Sequence, residues 1–152
     1  MPVIPFTKYI PPVPVVRALI QDDAGRVLLL QRANTSSGCG GWCLPGGKVD
    51  WGQTVAEALA REIMEETTLQ LCEAEFFFMQ DSLPTESESL HCLNLYFRCR
   101  VQGEIVLNPE SSAYAWVAAG ELGQYEIVFR NDEALFKHYA RAVIPIYSVK
   151  KN

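Results

Sequence analysis

The chain has 152 residues, 49% of them apolar and 20% charged, with 18 acidic against 13 basic side chains and a formal net charge of −5. That length suits a single domain with a sizeable core, and no apolar run approaches the roughly 20 residues that span a bilayer. An acidic chain without clustered Lys and Arg is poorly suited to the phosphate backbone of nucleic acid, whereas a small phosphorylated ligand held through a metal ion is compatible with it.

The opening stretch MPVIPFTKYIPPVPVV carries neither the basic cluster nor the unbroken apolar run of a secretory signal. A cytoplasmic protein is therefore expected, one domain over 1–152 with residues 1–12 as an N-terminal extension. The segment FTKYIPPVP is suited to covering a sheet edge or to a contact in a homodimer. VPVVRALI (13–20) and RVLLLQR (26–32) read as strands rich in branched residues, joined by the turn QDDAG. ANTSSGCGG is a polar, glycine-rich loop. A helix is predicted from Val55 to Thr67, capped by Thr54 with Glu57 three residues on.

EAEFFFMQD (73–81) and LHCLNLYFRCR (90–100) read as strands around the loop SLPTESES. In the second, Leu93, Leu95 and Phe97 alternate with Asn94, Tyr96 and Arg98, which predicts one buried face. EIVLN is a candidate short strand, YAWVAAGEL a strand running into a helical turn, and NDEALFKHYARAV a final amphipathic helix with Leu135 and Tyr139 on one side. Dominant strands flanked by two helices predict a mixed-sheet α/β sandwich. The five cysteines (39, 43, 72, 92 and 99) are scattered through apolar segments and read as reduced thiols. Cys39 and Cys43 lack a second Cys/His pair, and His91 and His138 stand alone, so no zinc site is expected.

The chemistry concentrates in LPGGKVDWGQ and the helix after it. At about 100° per residue from Val55, Leu59 falls near 40° and Ile63 near 80°, on an apolar arc centred around 70°. Glu66 lands near 20°, between Val55 and Leu59, and Glu62 near −20°, at the arc's rim. Glu65 lies near −80°, toward Arg61 at about −120°. Two carboxylates four residues apart thus run along the edge of the buried stripe, and a half-buried carboxylate needs a partner. Arg61 can serve one of them. The remaining natural partner is a hard, oxygen-seeking divalent cation such as Mg²⁺ or Mn²⁺. The competing reading is a solvated charge cluster, although anions are mildly unfavourable at a helix C-terminus.

With its loop, this helix resembles the Nudix hydrolase box: glycine, five residues, Glu, seven residues, then Arg-Glu-apolar-any-Glu-Glu-any-Gly-apolar. Here the box starts at Gly47 and runs through Arg61, Glu62, Ile63, Glu65 and Glu66 to Leu69. RVLLLQR and GGWCLPGG are similar to the family's approach to the box, and the order of elements suits its α/β/α sandwich. Two positions depart from the pattern. Gln53 stands in place of the first Glu and cannot supply charge, and Thr68 stands in place of the helix-ending Gly. A β-branched residue resists positive φ, so an altered helix end is expected.

The resemblance implies Glu62 and Glu66 as principal metal ligands, helped by Glu65 and the Gly46 carbonyl, with Arg61 orienting the carboxylates. It implies Glu110, in LNPESSAYAWV, as a further acid from a later loop. A box glutamate, Glu65 or Glu66, or else a loop acid is the candidate for proton transfer, and Arg32, Lys48 and Gly47 are the candidates for phosphate contacts. The implied reaction is Mg²⁺- or Mn²⁺-dependent hydrolysis of a nucleoside diphosphate joined to a moiety X, ADP-ribose or a nucleotide sugar being favoured. Pro84 is a weak pointer to ADP-ribose, and Trp42, Tyr96, Tyr114 and Trp116 could stack on a base. The alternatives are an ordinary or oxidised (d)NTP as substrate, and a non-catalytic ligand-sensing module.

Overall fold

The computed structural model describes residues 9–141 and residue 145. The first eight residues of the leader and positions 142–143 of the final helix expectation lie outside the described residues. Among those described, Tyr9 and Ile10 are exposed.

Ten elements follow in chain order: β1 (Val13–Ile20), β2 (Val27–Arg32), β3 (Trp42–Cys43), β4 (Gly46–Lys48), α1 (Val55–Thr67), β5 (Gln70–Ser82), β6 (Cys92–Gln102), β7 (Ser111–Val117), a 3₁₀ turn (Ala119–Gln124) and α2 (Asn131–Tyr139). They form a four-stranded sheet, β4-β1-β6-β5, and a three-stranded sheet, β3-β2-β7. The first is mixed: β1 runs parallel to β6 and antiparallel to β4. The predicted mixed-sheet α/β/α sandwich is the observed architecture.

β1 and β2 are buried on both faces, which is why both read as nearly continuous apolar runs. Val16, Ala18, Ile20, Leu28 and Leu30 pack with Ala58, Leu59 and Ile63 of α1. Leu19, Val27 and Leu29 point the other way, toward Ala134 and Leu135 of α2. At roughly 1.5–3 kcal/mol for each large apolar side chain buried, Leu59 and Ile63 alone hold α1 firmly on the sheet. The turn between β1 and β2 is closed by Asp22, whose Oδ1 accepts from the Ala24 and Arg26 amides at 3.0 and 2.8 Å. Beyond the Gln21–Val27 bridge the two strands diverge into separate sheets.

Three expectations need correction. EIVLN (104–108) is not a strand. Its backbone serves the end of α1 instead: the Val106 amide donates to the Thr67 carbonyl at 2.9 Å and the Thr68 hydroxyl to the Glu104 carbonyl at 2.7 Å. In β6 the deeply buried side chains are Asn94, Tyr96 and, on the other face, Cys99, while Leu93 and Leu95 are half-buried. Polarity misleads there because both groups find partners: Asn94 donates to the Gln80 carbonyl at 3.2 Å, and the Tyr96 hydroxyl to Gln80 Oε1 at 3.1 Å. Thr68, finally, ends α1 without altering it. It adopts φ 61° and its amide donates to the Met64 carbonyl at 2.9 Å. Its hydroxyl bond to Glu104 offsets part of the roughly 1–2 kcal/mol that a left-handed conformation costs a side-chain-bearing residue.

Candidate active site

The site forms where the glycine pair of β4 lies on α1. A side chain on Gly46 would collide with the Val16 carbonyl, and one on Gly47 with the Glu62 carboxylate. Both glycines therefore serve close approach, and neither has positive φ; in this loop that conformation falls to Gly52, at φ 80°. Thr54 caps α1 in the predicted reciprocal box with Glu57, at 2.8 and 3.1 Å. The register so fixed points Glu62 and Glu66 inward.

Glu66 Oε2 accepts from the Gly46 amide at 3.2 Å, which brings the Gly46 backbone to this carboxylate. Burial pushes the Glu66 pKa up to about 8, the Glu62 and Glu110 charges adding to the rise while the Gly46 amide and Arg17 oppose it. Glu62 is likewise raised, chiefly by burial, with Arg61 pulling down and Glu65 and Glu110 pushing up. Glu110 thus joins the field of both acids. Asn108 ties its loop to the helix, donating to the Glu65 carbonyl at 3.1 Å while accepting from the Glu110 amide at 3.0 Å.

Arg61 is the hub. It donates to Glu62 at 3.0 Å, Glu65 at 3.2 Å, the Lys48 carbonyl at 3.0 Å and Gln53 Oε1 at 3.3 Å. Asp50 adds an ion pair at 3.3 Å. Gln53 therefore contacts Arg61, and the charge it lacks comes from Asp50, whose amide donates to Gln53 Oε1 at 3.2 Å. Sequence reasoning missed Asp50 because it stood outside the family pattern.

Two carboxylates, not three, face inward. Glu65 is 55% exposed and turned to Arg61, against 14% for Glu62. Among the described residues no three acidic, His or Cys side chains stand close enough together to hold an ion as placed. The donor set nonetheless fits a hard divalent cation. Glu62 and Glu66 are acid oxygens kept partly from water with raised pKa values, a state that a cation relieves.

Beside these acids opens a cavity of about 510 Å³, lined among others by Arg17, Arg32, Gly46, Gly47, Lys48 and Phe129. Arg32, Lys48 and Gly47, the candidates for phosphate contacts, all line this cavity. Pro84 is not among its lining residues, although its neighbours Leu83 and Thr85 are. Of the candidate stacking aromatics, Trp42 packs edge-on against Tyr125 and Tyr96 stacks on Phe78, both as core. Arg17 was missed, though a lone charge inside VPVVRALI was a legible signal.

Half-buried paired acids, a close-approach glycine pair and a cleft lined by Arg and Lys side chains thus meet in one region of the fold. Residues 11–139 match the family model described as NUDIX domain. The chain is 32% identical over 122 residues to the nucleoside triphosphatase NudI of Escherichia coli O139:H28, covering 74% of this chain and 86% of that protein. The MutT NUDIX hydrolase from Burkholderia pseudomallei superposes with a TM-score of 0.75 at 31% identity, over 84% of this chain and 98% of that one. The NUDIX domain of Shewanella oneidensis NrtR, solved with ADP ribose, shares the fold at a TM-score of 0.71 and 18% identity, over 88% and 90% of the two chains. The chain belongs to the Nudix family and is a Nudix-type pyrophosphohydrolase, of a family that uses divalent cations and small nucleotide substrates.

Proposed function

We propose that the protein hydrolyses the phosphoanhydride of a nucleoside diphosphate joined to a further group X, releasing a nucleoside monophosphate and phosphorylated X, with Mg²⁺ or Mn²⁺. The observation that carries this reading is the pair of inward carboxylates, Glu62 and Glu66, set against Gly46–Gly47, two of the residues that line the cationic cavity. Glu62 and Glu66 are the principal ligands, with the Gly46 backbone beside them and Glu110 and Glu65 as supplementary acids. A bound cation supplies charge neutralisation of the diphosphate and a lower pKa for water.

Around it, this chain's residues position. Arg61 holds Glu62 and Glu65 while anchored to the Lys48 carbonyl, Gln53 and Asp50. Lys48 and Arg32 meet phosphate charge from the cavity wall. Glu65 and Glu66 are the acids available to take the proton of the attacking water. ADP-ribose and nucleotide sugars are the first substrates to test. A nucleoside triphosphate, where X is itself phosphate, is the second reading, favoured by the 32% identity to a protein named a nucleoside triphosphatase.

The experiment is turnover with Mg²⁺ or Mn²⁺ across ADP-ribose, nucleotide sugars, dinucleotides and the common and oxidised (d)NTPs. Hydrolysis confined to one class names X. Ligand-induced stabilisation of a folded, metal-binding protein that turns over none of them would replace the enzyme by a ligand-sensing module.

A further inference from the structure

Two guanidiniums in the cavity converge on one ring. Arg17 reaches it from the middle of β1 and Arg32 from the end of β2, their central carbons 5.4 and 4.7 Å from the centre of the Phe129 ring. Neither makes an ion pair with an acid among the described residues. Arg17 Nε is buried without a hydrogen-bond partner, and its Nη1 has only a long 3.5 Å contact to the Leu44 carbonyl. Arg32 places Nε on the Ser37 carbonyl at 2.9 Å. A guanidinium has five donors and no acceptor, so one held in a cleft without a carboxylate is a site with its counter-charge still to come.

The fold holds this arrangement against local strain. Phe129 and Arg130 are consecutive side-chain-bearing residues at φ 59° and 56°, a conformation that clusters at ligand clamps. Asn131 locks them: its Nδ2 donates to the Phe129 carbonyl at 3.2 Å and the Tyr96 hydroxyl at 3.1 Å, while Oδ1 accepts from the Leu44 amide at 2.9 Å. From the opposite side, Gly38 leaves room for the ring, since a Cβ there would lie 3.0 Å from Phe129 Cζ and 3.2 Å from Arg32 Cδ. Stacking on Phe129 restrains the guanidinium planes and leaves donor edges free for an oxyanion.

We propose that Arg17 and Arg32, held on Phe129, form an oxyanion subsite beside the carboxylate cluster, selecting substrates whose group X is itself a phosphate or carries a carboxylate. Arg17 is the specificity-determining residue. The inference rests on the nucleotide-hydrolase reading and narrows its substrate class. A nucleoside triphosphate supplies the oxyanion as a terminal phosphate, a nucleotide sugar acid as a carboxylate.

The test uses matched pairs differing in that group: each common nucleoside triphosphate against its diphosphate, and UDP-glucuronate against UDP-glucose. Each pair is measured as kcat/KM with Mg²⁺ and as a ligand-induced melting shift in EDTA. Wild type is expected to prefer the charged-tail member in at least one pair, and Arg17→Met to cut that preference at least about tenfold, the loss typical of a charge-assisted hydrogen bond. Preference in the triphosphate pairs alone assigns phosphate, and in the glucuronate pair alone carboxylate. Arg32→Met gives the same readout if Arg17→Met does not fold. Absence of preference in wild type, or equal weakening of both members in the variant, overturns the proposal. Arg17-dependent shifts in EDTA without turnover of any compound would keep the subsite and sink the hydrolase reading.

Discussion

Replacing Glu66 with Gln should stabilise the metal-free protein, and the gain should grow with pH. The folded Glu66 titrates at about 8 against an ordinary 4.5, because burial and the neighbouring Glu62 disfavour its charge. An acid raised in the folded state contributes its stability below the unfolded pKa and loses it as pH rises through the folded one. At pH 4 both states hold the proton and the two proteins should match in this respect. By pH 7 folding must retain a proton that the unfolded chain has released, which costs about 3 kcal/mol, and the cost levels off above pH 8. Glutamine keeps the shape without the charge. Urea unfolding in EDTA from pH 4 to 9 should therefore show the variant gaining about 3 kcal/mol on wild type by pH 7 and about 4 kcal/mol by pH 8. A divalent cation should reverse the order by stabilising wild type. A stability difference that does not change with pH would refute the reasoning.

His138 provides a second pH dependence, of opposite sign. Its Nδ1 accepts from Arg98 Nε at 3.0 Å, and burial with the Arg98 charge lowers its pKa to about 4. Its contribution is complete above pH 6.5 and lost as pH falls toward 4, about 3 kcal/mol that His138→Gln should remove from the acid limb of the stability profile. At the end of α1, Thr68→Val keeps the left-handed strain and loses the bond to Glu104, so it should cost about 1–2 kcal/mol in urea unfolding. Thr68→Gly should stay within about 0.5 kcal/mol of wild type, since relief of strain and loss of that bond oppose. At Arg61, Asp50→Asn should lower kcat a few-fold in wild type and less in a Gln53→Glu background, where Arg61 regains a charged partner. Additive effects in that double-mutant cycle would show that Asp50 does not compensate for Gln53.

How much of this was legible before the structure differs by element. α1 was readable to its boundaries because cap, periodicity and carboxylate placement all agree. The wheel positions of Glu62, Glu65 and Glu66 correspond to what the fold buries and exposes. β6 was misread on its faces because Asn94 and Tyr96 are buried through hydrogen bonds made across β5 and α2, and such partners are invisible to local alternation. EIVLN has strand composition, yet its backbone bonds go to the end of α1. The glycine pair was read as part of the loop before α1, whereas Gly46–Lys48 is a strand against β1. Arg17 and Phe129 lie 112 positions apart, so only the tertiary fold could show that they meet.

The central claim is that Glu62 and Glu66 serve the hydrolysis of a nucleotide anhydride. It is tested most directly by kcat/KM with Mg²⁺ on the best substrate of the panel, for wild type and Glu66→Gln, each shown to be folded. The account predicts a loss of at least about a hundredfold, the scale of removing one strong electrostatic contribution to a transition state. A Glu66→Gln protein that turns over the same substrate at a rate near wild type would contradict it.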